Sequence, residues 1–278
     1  MLSGYGVRMT TPEDLTLSTI ELEVHGAVLL ATLNRPAVLN AIDQELRRDL
    51  HDLVRSVHET DDVRVLVVTG AGRGFCSGGD VGGLTGAGPV SAQNVLLDEF
   101  ASAGDRALAL DRLDKPVIAA VNGIAAGSGM SLALSADLRV GDERTRFRTA
   151  FVERALSPDA GMTYTLTRVL GYARAADLIL TAREMRAEEA HRVGLLDRLA
   201  PGDTCVAAAL ELAAGIAALP PLAVRASKQV LKRSTDALLE DALRLETAAI
   251  VRADRAQKDR LEAVASFRER RPGSYQGN

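Results

Sequence analysis

Lys115-Pro116-Val117-Ile118-Ala119-Ala120-Val121-Asn122-Gly123-Ile124-Ala125-Ala126-Gly127-Ser128-Gly129 is the stretch on which the fold turns. Lys115-Pro116 leads into Val117–Val121, an apolar run that predicts a buried strand. Gly127 and Gly129 flank Ser128 in a glycine-rich turn, and Met130–Ala136 follows as a short apolar helix. Asp137–Val140 then reads as another strand. Strand, turn and helix in close succession make up the repeating unit of an α/β protein. The turn also has chemical potential. A helix opening at Ser128 presents unpaired backbone N–H groups at the positive end of its dipole, a setting that suits an anion. The plain alternative is a tight strand-to-helix turn with no ligand.

A second glycine-rich turn lies upstream, at Phe75-Cys76-Ser77-Gly78-Gly79-Asp80, after the turn Gly70-Ala71-Gly72-Arg73-Gly74. It follows Val63–Thr69, a β-branched run of the kind buried in sheets. Further upstream, Ile20, Leu22 and Val24 alternate with Glu21, Glu23 and His25, the period of a half-buried strand. Val28–Leu33 returns from it, and Asn34-Arg35-Pro36 ends the pair, since proline cannot donate to a ladder. Asp43 is placed to cap a helix in which Leu46, Leu50, Leu53, Val54 and Val57 share one face. Residues 78–89 hold six glycines and Pro89 and read as a mobile loop. Val95–Leu113 has helical character. Beyond Pro158 the pattern is helical nearly to the end, with minor breaks at Pro201-Gly202 and Pro220-Pro221 and one long amphipathic stretch over Asp241–Phe267. These elements predict a tail over residues 1–17, an α/β core over 18–200 and a helical region over 201–278.

Composition narrows the function classes. Of 278 residues, 47% are hydrophobic, enough for a sizeable core. A net charge of −4 argues against a general nucleic-acid binder, and aromatics at 3% with no Trp argue against base stacking. Cys76 and Cys205 are too few for a disulfide framework and fit a reduced, cytoplasmic setting. No leader pattern opens the chain, and no apolar run is long enough to span a bilayer, so no membrane partner is expected.

Gly70, Gly72 and Gly74 miss the dinucleotide spacing, because Phe75 stands where its third glycine belongs. Neither Ser128 nor Ser131 sits in Gly-x-Ser-x-Gly, and the four histidines (25, 51, 58 and 191) lie away from any such elbow. No Cys, His, Asp and Glu cluster has metal-ligand spacing.

Several ordered motifs together resemble the crotonase (enoyl-CoA hydratase/isomerase) superfamily. They are Asn34-Arg35-Pro36-x-x-Leu39-Asn40-Ala41, Gly74-Phe75-Cys76-Ser77-Gly78-Gly79-Asp80-Val81 and the stretch Lys115–Gly129. Ala136-Asp137, Gly171, Ala187-Glu188-Glu189-Ala190-x-x-x-Gly194-Leu195-Leu196 and Phe267 continue the likeness, which covers about residues 18 to 272. The resemblance implies a crotonase-like (ClpP/crotonase) ββα spiral core and an acyl-CoA thioester substrate acted on through an enolate. It implies that the backbone N–H groups of Gly79 and Ser128 hold the oxyanion, with Ser128 replacing the family's usual glycine. Val38, Leu39, Ser77, Asp80, Val81, Gly127 and Phe151 are the implied substrate contacts. No metal and no separate cofactor are implied, because coenzyme A enters as part of the substrate. A homotrimer or dimer of trimers, assembled through the C-terminal helices, is the implied state.

The departures bear on the reaction. A hydratase of this family carries one glutamate at the position of Ser131 and another at that of Phe151; both are missing here. Glu153, two residues beyond, is expected to face solvent. Asp159, in Leu156-Ser157-Pro158-Asp159-Ala160-Gly161, takes a position used by family isomerases to shuttle a proton and by a family dehalogenase as nucleophile. It could equally be an ordinary helix N-cap after Pro158. The isomerase expectation follows from a single carboxylate beside an oxyanion hole. The alternatives are a hydratase drawing an acid from Asp98 or Glu99, a 4-chlorobenzoyl-CoA dehalogenase-like enzyme, and a non-catalytic acyl-CoA binder.

Overall fold

The computed structural model describes residues 15–80 and 101–278. Val81, Asp98, Glu99 and most of the expected glycine loop therefore lie outside the described residues. Ile20–His25 (β1) and Val28–Leu33 (β2) form the antiparallel pair read from the alternation. Gln44–Glu59 (α1) follows, with the Asp43 carboxylate accepting from the Leu46 N–H at 2.8 Å, as a helix cap should. Val65–Gly70 (β3), Gly74–Cys76 (β4), Ala101–Arg112 (α2), Val117–Val121 (β5), Ile124–Ala126 (β6), Ser128–Ser135 (α3), Leu138–Gly141 (β7) and Arg146–Arg148 (β8) come next.

Two sheets result. One has the order β1-β2-β3-β5-β7, continued by Arg198–Leu199 (β10). The other has the order β4-β6-β8, continued by Met185–Arg186 (β9). All neighbours are parallel except β1 with β2 and β8 with β9. The chain crosses from the first sheet to the second at β3–β4, at β5–β6 and again at β7–β8. Each passage lays one strand in each sheet before the next helix or loop returns it, and that repetition is the ββα spiral.

The continuous apolar runs are explained by burial on both faces. In β2, Leu29, Ala31 and Leu33 face one core with Leu66 and Val68 of β3 and with α1. Val28, Leu30, Val65 and Val67 face a second core against Cys205–Ala217 (α7). Met162–Leu170 (α4), Tyr172–Thr181 (α5) and Ala187–Arg192 (α6) precede that helix. Pro221–Ser234 (α8), Leu239–Ala253 (α9) and Gln257–Glu269 (α10) complete the chain. Among the described residues no single helix is long and apolar enough to cross a membrane.

The structure corrects the sequence reading at three places. The segment after Pro158 is not wholly helical, because β9 and β10 intervene. The long amphipathic stretch over Asp241–Phe267 is two helices, α9 and α10, parted at Asp254–Ala256. The glycine turn after β3 runs directly into a strand, β4, that no periodicity announced.

Buried amides hold the crossing between the sheets. Asn40, fully buried and in the left-handed region at φ 57°, donates Nδ2–H to the carbonyls of Ala71, Gly74 and Phe75 at 3.1, 2.9 and 3.1 Å. Its Oδ1 accepts from the Arg35 N–H at 2.9 Å. Asn122 donates to the carbonyls of Gly70 and Gly72 at 2.7 and 3.0 Å. The motifs around residues 34–41, 70–76 and 122 are thus one hydrogen-bonded knot. Removing the Asn40 amide strands carbonyls inside the protein, so Asn40→Ala should lower stability in urea unfolding by about 3 kcal/mol. Asp43→Ala, which removes one cap at a half-exposed site, should cost about 1 kcal/mol.

Candidate active site

The site forms where β4 ends and α3 begins. Residues 77–80 run alongside 39–42: the Ser77 N–H donates to the Leu39 carbonyl at 2.9 Å, the Ile42 N–H to Gly78 at 2.7 Å and the Asp80 N–H to Ile42 at 3.0 Å. The Gly79 N–H donates to no protein group among the described residues, and Gly79 is exposed. The Ser128 N–H, in the first turn of α3, is likewise without a protein acceptor among them, as helix geometry requires.

The two glycine turns are in contact. A Cβ at Gly78 (φ 97°) would stand 2.7 Å from the Ala126 carbonyl oxygen and 3.4 Å from the Ser128 nitrogen. A Cβ at Gly129 would stand 2.2 Å from the Cys76 carbonyl oxygen. Only glycine permits this approach. Two unpaired N–H groups, each carried by one of two touching turns, are what an oxyanion needs. They bring no charge of their own that could titrate.

Asp159 reaches this place by its side chain. The Ser128 Oγ–H donates to Asp159 Oδ1 at 3.1 Å. The N-cap alternative for Asp159 fails, because α4 starts at Met162 with Gly161 as its cap and no side-chain capping bond. Asp159 lies instead in an exposed turn followed by two left-handed residues, Ala160 (φ 50°) and Gly161 (φ 76°). Its carbonyl accepts from the Met162 N–H at 3.1 Å and from the Ser131 hydroxyl at 3.2 Å.

The two positions without glutamate differ in what they do. Ser131 is buried on α3, facing the site through its bond to Asp159. Phe151 is in the hydrophobic core, packed with the large aliphatic cluster. Glu153 is not merely solvated, as it forms an ion pair with Arg148.

Of the remaining expected contacts, Val38 is exposed and Leu39 partly so, both on the turn before α1. Ser77 donates its hydroxyl to the Val38 carbonyl at 3.1 Å. Asp80 lies 3.5 Å from the Arg35 guanidinium, which also pairs with Asp43 at 2.9 Å. Gly127, the residue before α3, is half-buried with its N–H on the Arg148 carbonyl at 3.0 Å. Cys76 is no candidate nucleophile, because burial pushes its thiol up to about 12.

A cleft adjoins Ser128 and Ser131. It is walled by Leu50 and Val54 of α1, Ala107 and Leu110 of α2 and Leu132 of α3. His51, largely exposed, also lines it, a residue the sequence analysis noted only as lying away from any nucleophile elbow.

The sequence model of the enoyl-CoA hydratase/isomerase family matches residues 23–278. The chain is 35% identical over 256 residues to a 1,2-epoxyphenylacetyl-CoA isomerase of Escherichia coli strain K12, spanning 91% of this chain and 97% of that protein. It is 31% identical over 259 residues to a short-chain-enoyl-CoA hydratase of Clostridium acetobutylicum, spanning 92% of this chain and 97% of that one. Among solved structures, an enoyl-CoA hydratase from Bacillus anthracis superposes with a TM-score of 0.88 at 31% identity, covering 94% of this chain and all of that one.

Gly129 and Gly79 should respond very unequally to a methyl group. Gly129→Ala drives a side chain into the Cys76 carbonyl and should cost about 3 kcal/mol or more in thermal or urea unfolding. Gly79→Ala meets nothing within 4 Å at an ordinary φ and should change stability by no more than about 0.5 kcal/mol.

Proposed function

The chain belongs to the enoyl-CoA hydratase/isomerase family, and from that premise we propose that it is an enoyl-CoA isomerase that relocates a double bond by moving one proton. One observation carries the reading. The Asp159 carboxylate is bonded to the residue that opens α3, while Ser131 and Phe151 supply no carboxylate. Adding water calls for a group to activate the water and a group to protonate carbon. Moving a proton calls for one base used twice.

In this scheme Asp159 takes a proton from the carbon beside the thioester. The C–H bond breaks, an O–H bond forms, and the electron pair runs into the thioester carbonyl. The N–H groups of Gly79 and Ser128 meet the charge on that oxygen, and each such donor contributes about 3 kcal/mol. The pair then flows back as the double bond re-forms one position along, and the proton returns to the carbon two places away. Coenzyme A is part of the substrate, and no other cofactor takes part. Val38, Leu39, Ser77, Asp80 and Gly127 line its approach, with Phe151 supporting the site from the core.

The isomerase name of the Escherichia coli relative supports this reading, and the hydratase name of the Clostridium relative supports the second one. Hydration would need a further acid, for which Asp98 or Glu99 are the candidates. Asp159→Asn should lower kcat on a 3-enoyl-CoA by about 10³-fold, with binding of the thioester retained. Full activity in that variant, or crotonyl-CoA hydration that survives it, would overturn the assignment.

We propose also that the chain assembles as a trimer or dimer of trimers. Leu231, Leu238, Leu239 and Ile250 of the α8–α9 region are each more than two-thirds exposed and offer an apolar surface. Light scattering should give three or six times the 29.4 kDa chain mass, and a monomer would refute the proposal.

A further inference from the structure

We propose that Ser128 and Ser131 form a clamp that positions Asp159, a role distinct from the oxyanion role of the Ser128 N–H. The proposal rests on the proton-shuttle reading above. Ser128 and Ser131 are one turn apart on α3 and so share a face of the helix. The first holds the Asp159 side chain, Oγ to Oδ1 at 3.1 Å. The second holds its main chain, Oγ to carbonyl oxygen at 3.2 Å. Asp159 is thus gripped at both ends by side chains of a single helix.

The residue needs such a grip. It is exposed, it caps no helix, and its turn passes through two left-handed residues. Apart from the serines, the only hydrogen bond to it among the described residues is from the Met162 N–H to its carbonyl. An unrestrained carboxylate on such a turn samples several rotamers, and a base that must reach two carbons in one turnover loses rate for each unproductive one. With Oδ1 engaged by Ser128, Oδ2 is the oxygen left to carry the proton on both legs. The N–H of that same Ser128 faces the charge being created. Base and oxyanion donor are therefore referenced to one helical turn. A glycine at position 128 would keep the N–H and lose the grip. At position 131 the serine turns the place of a missing acid into a support for the acid that remains.

The test is steady-state kinetics on a 3-enoyl-CoA with Ser128→Ala, Ser131→Ala, the double variant and Ser128→Thr, beside Asp159→Asn. Thermal unfolding of each variant separates a lost grip from a lost fold. The expected result is a fall in kcat of about 10-fold for Ser128→Ala and about 3-fold for Ser131→Ala, with KM within about twofold of the parent. The double variant should fall short of the product of the two effects, because both act on one residue. Ser128→Thr, which keeps the hydroxyl, should recover most of the lost kcat. Parental kcat in both alanine variants alongside an inactive Asp159→Asn would overturn the clamp and leave the shuttle standing. A threonine variant as slow as the alanine variant would also overturn it. Retained activity in Asp159→Asn would remove the shuttle, and the clamp with it.

Discussion

The closest approach in the site is between backbones: Gly129 at the start of α3 lies against the carbonyl of Cys76 at the end of β4. These two segments belong to successive turns of the spiral, and β4 pairs with β6, the strand that leads into α3. Any side chain at 129 would push them apart and separate the Gly79 turn from the Ser128 turn. The approach is held from behind by the amides of Asn40 and Asn122, which gather the carbonyls of the preceding turn. Hydrogen bonds made inside a low-dielectric core stiffen this region, and an exposed surface loop could not do the same.

This arrangement divides the work between main chain and side chains. The groups suited to an oxyanion are backbone N–H groups whose direction is set by packing. In the proposed mechanism the groups that choose among reactions are side chains on one face of α3 and on the turn before α4. Ser128, Ser131 and Asp159 form one connected set there, whereas Phe151 packs in the core.

Much of the scaffold was legible in the sequence because its elements are long enough to show a period. The alternation of β1, the buried runs of β2, β3 and β5, and the apolar face of α1 with its Asp43 cap all carry their own signals. The second sheet carried none. Its strands are two or three residues long, too short for alternation to register, and β4 and β6 are embedded in glycine turns. The glycine turns themselves were legible as motifs, but their contact was not, since it joins residues about fifty apart in the chain. At Asp159 the sequence left a helix cap open, and the cap fails because Ala160 and Gly161 delay the helix. The bond from Ser131 to the Asp159 carbonyl had no sequence signal, because any residue at 159 would present the same carbonyl.

The face of α3 that carries Ser128 and Ser131 has a consequence for descent within the family. A donor made of main chain survives almost any side-chain replacement, so drift in the residues around it does not erase it. In the proposed mechanism, exchange of a serine for an acid on that face, or the reverse, alters what the enolate encounters while leaving both sheets as they were. On that mechanism, lineages that relocate protons and lineages that add water are separated by very few codons, laid over a scaffold that diverges at its own pace.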